Sequence, residues 1–174
     1  MADTLPMTLR VYRSLSSAMV PLSPALINQR LRLGKEDPAR VGERRGMSAG
    51  VRPAGPLVWI HGASVGEVLA AAALIERLRA RGFHVLVTSG TVTSAAIVAK
   101  RFPAEVLHQY LPYDAPKFVA SFLDHWQPSL ALFVESDLWP NLILACSARR
   151  VPMELSHARK SPRPFPRQDR PAQH

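Results

Sequence analysis

The chain has 174 residues, 47% of them hydrophobic, and its mean hydropathy is close to zero. These values predict a globular domain with its own hydrophobic core and exclude a wholly disordered chain. The formal net charge is +9, but residues 53–150 hold eight basic and seven acidic residues, so the excess lies in the flanks. Basic flanks around a nearly neutral middle favour an anionic membrane surface as partner and argue against nucleic acid.

Residues 8–33 carry apolar side chains at roughly helical spacing, namely Leu9, Tyr12, Leu15 and Met19. No uninterrupted apolar run approaches the ~18 residues that a membrane-spanning helix needs. Pro21 and Pro24 interrupt the pattern midway. Because arginines lie close to the apolar residues, the pattern predicts a helix at a membrane interface within residues 1–33, with a helix packed on the domain as the alternative.

Residues 34–56 form a polar, turn-prone stretch, in which Asp37 followed by Pro38 is typical of a helix start. We predict that this stretch is a linker between the N-terminal helix and the folded unit.

From residue 57 onward, short apolar runs alternate with longer amphipathic ones, which is typical of βαβ units and a parallel sheet. The predicted strands lie at residues 57–61, 84–88, 106–110 and 129–134, with a fifth candidate at 151–155. The predicted helices lie at residues 65–80, 92–101, 115–126 and 138–149. Right-handed crossovers then make residues 57–155 a Rossmann-like α/β domain, whose ligands bind beyond the carboxyl ends of the strands.

Residues 156–174 are rich in proline and arginine and lack periodicity, so we predict a disordered tail. The single cysteine, Cys146, cannot form an internal disulfide, which favours a reducing compartment. No cluster of His, Cys, Asp or Glu has metal-ligand spacing, and no glycine-rich nucleotide-binding motif occurs. The sequence therefore predicts neither a metal nor a cofactor.

The loop after the first strand, residues 61–67, has three interpretations. Ser64 followed three residues later by Glu67 is a capping box, in which each side chain binds a backbone N–H at a helix start. Gly-x-Ser-x-Gly between strand and helix is also the nucleophile motif of α/β-hydrolases, although its place after the first strand is unusual for them. Alternatively, Glu67 is a general base on a loop whose glycines, including Gly66, let a bulky substrate approach the backbone.

Two further loops carry polar groups at predicted carboxyl ends. Ser89 and Thr91 belong to a hydroxyl-rich turn that suits phosphate or sugar hydroxyls, and helix capping by Thr91 is the alternative. Glu135, Asp137 and Trp139 follow the fourth strand. Carboxylates accept hydrogen bonds from hydroxyls and an aromatic face packs on a sugar ring, so this loop suits a carbohydrate, with solvated acids at a helix start as the alternative.

The motifs at residues 34–37, 61–67, 88–94, 110–114 and 135–141 occur together and in this order. In these motifs the chain resembles the 3-deoxy-D-manno-octulosonic acid (Kdo) transferases of lipopolysaccharide synthesis. The resemblance implies a GT-B fold, in which two Rossmann-like domains face a cleft at the cytoplasmic side of the cell inner membrane. It also implies that Kdo passes from CMP-Kdo to a hydroxyl of the lipid A precursor, with inversion and without a metal.

By position in these motifs, the resemblance makes Glu67 the base that activates the acceptor hydroxyl and Glu135 a support for the transition state. It places acceptor contacts at Lys35, which would meet lipid phosphates, and at the other loop residues, namely Ser64, Gly66, Ser89, Thr91 and Trp139.

The chain departs from the family at two places. Gly62 stands where the family often has a small side chain, and residues 157–159 read His-Ala-Arg where the family continues with Asn-Ala-Arg. After that point the CMP-binding domain is missing, so we expect a truncated chain that is inactive alone. The alternative is a non-catalytic fragment that binds a membrane or a lipid.

Overall fold

The computed structural model describes residues 5–134 and 139–156. Within them, five parallel strands form one sheet in the order β3-β2-β1-β4-β5. The strands are β1 (Leu57–Gly62), β2 (His84–Ser89), β3 (Leu107–Tyr110), β4 (Leu130–Val134) and β5 (Met153–Ser156). The prediction of a Rossmann-like parallel α/β domain is therefore confirmed, and every predicted strand is present within two residues of its predicted ends.

Helices cover both faces of the sheet. They are α3 (Val65–Ala70), α4 (Ala72–Ala80), α5 (Val92–Arg101), α6 (Pro116–Trp126) and α7 (Pro140–Ala148). Because side chains alternate along a strand, Val58 and Ile60 of β1 pack in one core cluster with α3, α4 and α5. Trp59 and its neighbours point to the opposite face, where they pack against α6 and α7. All six residues of β1 are buried, as a central strand covered on both faces requires.

The order of the strands determines where a ligand can bind. From β1 the chain adds β2 and then β3 on one side, and it then crosses back to place β4 on the other side of β1. The strand order therefore reverses between β1 and β4. In open parallel sheets, the crevice at this point, beyond the carboxyl ends of the strands, is the usual binding site. The loops that follow Gly62, Ser89, Tyr110 and Val134 all open at this edge.

The N-terminal segment is two helices, α1 (Met7–Ala18) and α2 (Ser23–Arg32). The break matches the predicted interruption, because Pro24 lies in the first turn of α2, where its missing N–H costs nothing. Large hydrophobic side chains are exposed along this segment: Met7, Val11, Leu15, Met19 and Leu22. In the described part of the chain, no helix is both long and apolar enough to cross a membrane.

The stretch predicted as a linker holds a 3₁₀ helix, Pro38–Arg45, capped by Asp37, whose carboxylate accepts the N–H of Ala39 at 2.9 Å. It ends at Gly46 in the left-handed region (φ 77°), where a β-carbon would lie 2.0 Å from the backbone oxygen of Phe118. Only glycine can therefore occupy this position. The stretch packs on α6 and β3 and contributes buried charged side chains, so it belongs to the folded unit.

The region predicted as one helix, residues 65–80, is divided into α3 and α4 at Ala71. Backbone hydrogen bonds continue through the division, from the Ala71 N–H to the Glu67 carbonyl and from the Ile75 N–H to the Ala71 carbonyl. The division is therefore a local irregularity in a continuous helical path.

Candidate functional site

The loop between β1 and α3 is built around Glu67. The Ser64 hydroxyl caps α3 by accepting the Glu67 N–H at 3.3 Å, and it donates to Glu67 Oε1 at 3.0 Å. Glu67 Oε2 accepts the N–H of Ala63 at 2.7 Å. The capping interpretation of the motif is therefore correct, with the carboxylate reaching one residue further back than in the usual capping box. The Ser64 hydroxyl is committed to this cap, which gives the hydrolase interpretation no support.

A cavity of about 240 Å³ opens beside this loop, at the carboxyl edge of the sheet. We call it the polar cavity, and its lining residues are Arg30, Arg44, His61, Ala63, Gly90, Leu111, Pro112, Tyr113, Asp114 and Trp139. The loops after β1, β2 and β3 all contribute residues to the wall of this cavity. Since Ala63 lines the cavity and donates to Glu67, the half-buried carboxylate is one hydrogen bond away from the wall.

Two arginines of the polar cavity share one buried carboxylate. Glu36, whose side chain is 1% exposed, accepts Arg30 Nε at 2.5 Å and Arg44 Nε at 2.9 Å. Other N–H groups of Arg44 donate to the carbonyls of Gly90, at 2.6 Å, and Leu111, at 3.2 Å. Arg44 therefore ties the 3₁₀ helix to the loops after β2 and β3, and so fixes one side of the cavity.

A second charged network lies behind the first. Arg40 donates to both oxygens of Glu43, at 2.8 and 2.9 Å, and to His108 Nδ1 at 2.9 Å. His108 Nε2 then donates to the hydroxyl of Ser89 at 2.9 Å. Burial and the positive charges of Arg40 and Arg44 lower the pKa of His108 to about 3, so the ring is neutral at physiological pH.

His61 lies at the base of the polar cavity, fully buried near the end of β1. Its Nδ1 is 2.9 Å from the Thr88 hydroxyl, which also accepts the indole N–H of Trp59 at 2.8 Å. Burial lowers the pKa of His61 to about 4, although the Thr88 carbonyl and the charge of Glu67 oppose the shift. A neutral, enclosed imidazole is part of the floor.

A second cavity, of about 190 Å³, adjoins the first and lies between α1, α2 and α6. We call it the apolar cavity, and its lining residues are Tyr12, Ser16, Met19, Ser23, Leu26, Tyr113, Asp114, Ala115, Phe118 and Trp139. Tyr12 donates to Asp114 Oδ2 at 2.8 Å, which joins α1 to the loop after β3. Burial and this carboxylate raise the pKa of Tyr12 to about 12, so the phenol keeps its proton.

Asp114 also caps α7 from a distant part of the chain. Its two carboxylate oxygens accept the backbone N–H groups of Asn141, at 3.0 Å, and Leu142, at 2.9 Å. This positions the start of α7, and with it Trp139, which is 40% exposed and lines both cavities.

The other predicted acceptor contacts have different positions. Ser89 is fully buried and bonded to His108, so it does not reach a ligand directly. Thr91 caps α5 by accepting the Ser94 N–H at 3.1 Å, as its alternative interpretation held. Lys35 and Gly66 are exposed and line neither cavity. Glu135 and Asp137 lie outside the described residues.

Sequence reasoning did not identify Arg30, Arg44 and Asp114 as site residues. Arg44 and Asp114 bond to groups far away in the chain, and Arg30 reaches the cavity through Glu36, six residues on, so composition and spacing did not assign a site role to any of them. Among the residues that the structure describes, no group of three or more His, Cys, Asp and Glu side chains could hold a metal ion. Cys146 is buried, and burial raises the pKa of its thiol to about 11, so it is not a nucleophile.

A parallel sheet ordered 3-2-1-4-5, with a cavity at its carboxyl edge, defines a Rossmann-like ligand-binding domain. Residues 39–173 match the family model described as 3-deoxy-D-manno-octulosonic-acid transferase (kdotransferase). The chain therefore belongs to the Kdo transferase family, as the sequence motifs predict.

Individual relatives agree with this assignment. The chain is 37% identical to a probable mitochondrial 3-deoxy-D-manno-octulosonic acid transferase of Arabidopsis thaliana, over 93% of this chain and 37% of the relative. It is 38% identical to 3-deoxy-D-manno-octulosonic acid transferase of Rickettsia bellii, over 90% of this chain and 38% of the relative. For the Bordetella pertussis enzyme, the identity is 41% over 71% of this chain and 30% of the relative. The chain thus spans less than two fifths of the length of these relatives.

Proposed function

We propose that this chain is the acceptor-binding half of a glycosyltransferase that moves Kdo from CMP-Kdo to a hydroxyl of the lipid A precursor. Membership of the Kdo transferase family supports the sugar. One structural observation carries the site: Glu67 Oε2 accepts the N–H of Ala63 at 2.7 Å, and Ala63 lines the polar cavity. We propose a GT-B arrangement, in which the part of such proteins beyond this chain holds the donor.

In the proposed reaction, Glu67 removes the proton from the acceptor hydroxyl while its oxygen attacks the anomeric carbon of Kdo from the side opposite to CMP. The bond to CMP breaks as the new bond forms, which inverts the anomeric configuration. The hydrogen bonds from Ala63 and Ser64 hold the carboxylate in one orientation, as a positioned base requires. We assign to Glu135 the electrostatic support of the oxocarbenium-like transition state.

Trp139 suits a role in acceptor binding, because its exposed ring can pack on a sugar face at the mouth of both cavities. Lys35 is exposed near the arginine pair and suits lipid phosphates at the rim. Residues 1–174 tested by themselves are expected to bind the acceptor, and turnover is expected only together with a donor half.

The test is a chimera in which residues 1–156 replace the matching segment of the Rickettsia bellii transferase. Transfer of labelled Kdo from CMP-Kdo to the lipid A precursor is then measured. We expect Glu67→Gln to lower the rate by about 10²–10⁴-fold, the usual contribution of a general base. Glu76→Gln, on the exposed face of α4, is the matched control and should leave the rate unchanged. A Glu67→Gln chimera with normal transfer would remove the proposed mechanism.

We also propose that the chain lies on the cytoplasmic face of the cell inner membrane, through the exposed hydrophobic side chains of α1. This surface combines Val11 and Leu15 with Arg10 and Arg13 on the same helix, which suits an anionic bilayer interface. In co-sedimentation with anionic vesicles, Val11→Glu with Leu15→Glu should abolish binding. Leu74→Glu, an equally apolar exposed position on α4, should not. Equal loss in both variants would contradict a specific membrane face.

A further inference from the structure

The two cavities at the carboxyl edge are neighbours with a common wall. Tyr113, Asp114 and Trp139 line both of them. The other residues of the apolar cavity belong to α1, α2 and α6, whereas those of the polar cavity include Arg30, Arg44 and the loops after β1 and β2. A ligand that occupies both spaces would pass across Trp139.

The two spaces differ in the polar groups that line them. The apolar cavity presents Met19, Leu26 and Phe118. Two of its polar groups are paired, Tyr12 with Asp114 and Ser16 with the side-chain amide of Asn141 at 2.8 Å, and the buried Tyr113 hydroxyl has no hydrogen-bond partner in the described part of the chain. Burial of aliphatic carbon is favourable in such a space, because little polar surface loses water.

The polar cavity carries spare hydrogen-bond donors on its two arginines. A guanidinium has five N–H donors. Arg44, whose side chain is 5% exposed, uses three of them, on Glu36, Gly90 and Leu111. Arg30 is 32% exposed and uses one, on Glu36. Glu36 and Asp114 balance the two guanidinium charges, and Asp114 already accepts three hydrogen bonds, so the unused N–H groups of the arginines are the feature that suits an anionic group.

We propose that the two cavities form one site for an anionic amphiphile. Arg30 and Arg44 bind its phosphate or carboxylate group, and the apolar cavity takes the first methylenes of one aliphatic chain. This rests on the proposed function and deepens it: part of one acyl chain of the acceptor lipid enters the protein instead of staying in the bilayer. The unused N–H donors of the arginine pair and the shared wall of the two cavities select this occupant over a neutral lipid or a protein segment.

The experiment is calorimetric titration of the 174-residue chain with inorganic phosphate, butyl phosphate, hexyl phosphate and 1-hexanol, all below their aggregation concentrations. Each buried methylene multiplies the affinity by about four. Hexyl phosphate has two more methylenes than butyl phosphate, so it should bind about fifteenfold more tightly. Inorganic phosphate should bind more weakly than both, and hexanol should show no binding. Equal affinities for the three phosphates would overturn the proposal.

Two variants test the binding of the phosphate group and of the alkyl chain separately, and a third is their control. Arg30→Gln should weaken all three phosphates by about tenfold, since a charged hydrogen-bonding group is lost. Leu26→Trp should fill the apolar cavity, remove the gain from butyl to hexyl phosphate and leave inorganic phosphate unchanged. Ala25→Trp, exposed on the same helix and outside both cavities, should behave as wild type. Chain-length dependence that survives Leu26→Trp would place the chain elsewhere and overturn the proposal.

Failure of this inference and failure of the proposed function are distinguishable. The titrations need no donor and no turnover, so their result does not depend on whether the chimera transfers Kdo. If the chimera transfers Kdo but the 174-residue chain does not bind alkyl phosphates, the amphiphile site alone is overturned. Alkyl phosphate binding by a chain whose chimera transfers nothing would overturn the transferase alone.

Discussion

Two carboxylates at the same edge of the sheet, Glu36 and Glu67, are held in opposite ways. Glu36 is buried and accepts from two guanidinium groups, one of which also holds the loops after β2 and β3. Glu67 is half-buried, and the hydrogen bonds at its cap come from Ala63 and Ser64, which are four and three residues away. Glu36 is thus linked through Arg44 to distant segments, whereas the cap at Glu67 is made within its own loop.

This difference separates stability from chemistry. A buried carboxylate shared by two arginines costs a great deal to remove, because the guanidinium groups are left without a counter-charge. A helix cap contributes about 1 kcal/mol, less than a buried ion pair. Replacing the proposed base Glu67 is therefore expected to cost the fold less than replacing Glu36.

The largest effect is expected for Glu36→Gln, which should lower the free energy of unfolding by about 3–5 kcal/mol because Arg44 stays buried without its ion pair. Chemical denaturation followed by circular dichroism measures this. Glu76→Gln is the matched control: its partner Arg101 is 50% exposed, so the loss should stay within about 1 kcal/mol. Similar losses for the two variants would contradict the distinction between a buried pair and a surface pair.

The second prediction concerns the loss of folding stability at low pH. His108 has a pKa of about 3 in the folded chain, below the ordinary value of 6.5 that it regains on unfolding. Between these values the unfolded chain binds more protons, so the stability that neutral His108 contributes is present above pH 6.5 and is lost as the pH falls. The loss should be about 2 kcal/mol between pH 6.5 and about pH 4.5. His61, with a pKa of about 4, adds a loss of the same sign.

Urea unfolding midpoints across this pH range check the expectation, and His108→Gln isolates the contribution of one ring. The variant should be less stable at neutral pH, since Arg40 and Ser89 lose a partner, but its stability should fall with acid by about 1.4 kcal/mol per pH unit less than wild type. An unchanged slope would mean that His108 is not the buried neutral group described above.

Much of the fold was predictable because its signals are local. The strands are short apolar runs and the helices have amphipathic spacing, so each could be located within a few residues. The loop at Glu67 was predictable for the same reason, since the groups at its cap are neighbours in sequence. The division at Ala71 was missed because no glycine or proline marks it.

The role of Arg44 was not predictable, and the reason is sequence distance. Arg44 contacts backbone carbonyls 46 and 67 residues away, and those contacts exist only after the loops of β2 and β3 reach the same edge. No periodicity or motif around Arg44 records this. Likewise, the hydroxyls of Ser89 and Thr91 suited a ligand by type, but burial and capping use them within the fold.

The smallest expected effect is that of Ser64→Ala, which tests whether the cap beside Glu67 also serves catalysis. Ser64→Ala removes a helix cap and should cost about 1 kcal/mol of stability. It also removes one of the hydrogen bonds that orient the Glu67 carboxylate, so Kdo transfer by the chimera should fall, by less than for Glu67→Gln because the Ala63 N–H remains. Thr91→Ala is the matched control, since it removes the equivalent cap of α5 through Ser94. If the two variants lose equal stability but only Ser64→Ala slows Kdo transfer, the cap at Ser64 serves catalysis as well as folding. Equal transfer rates in the two variants would mean that the cap at Ser64 serves folding alone.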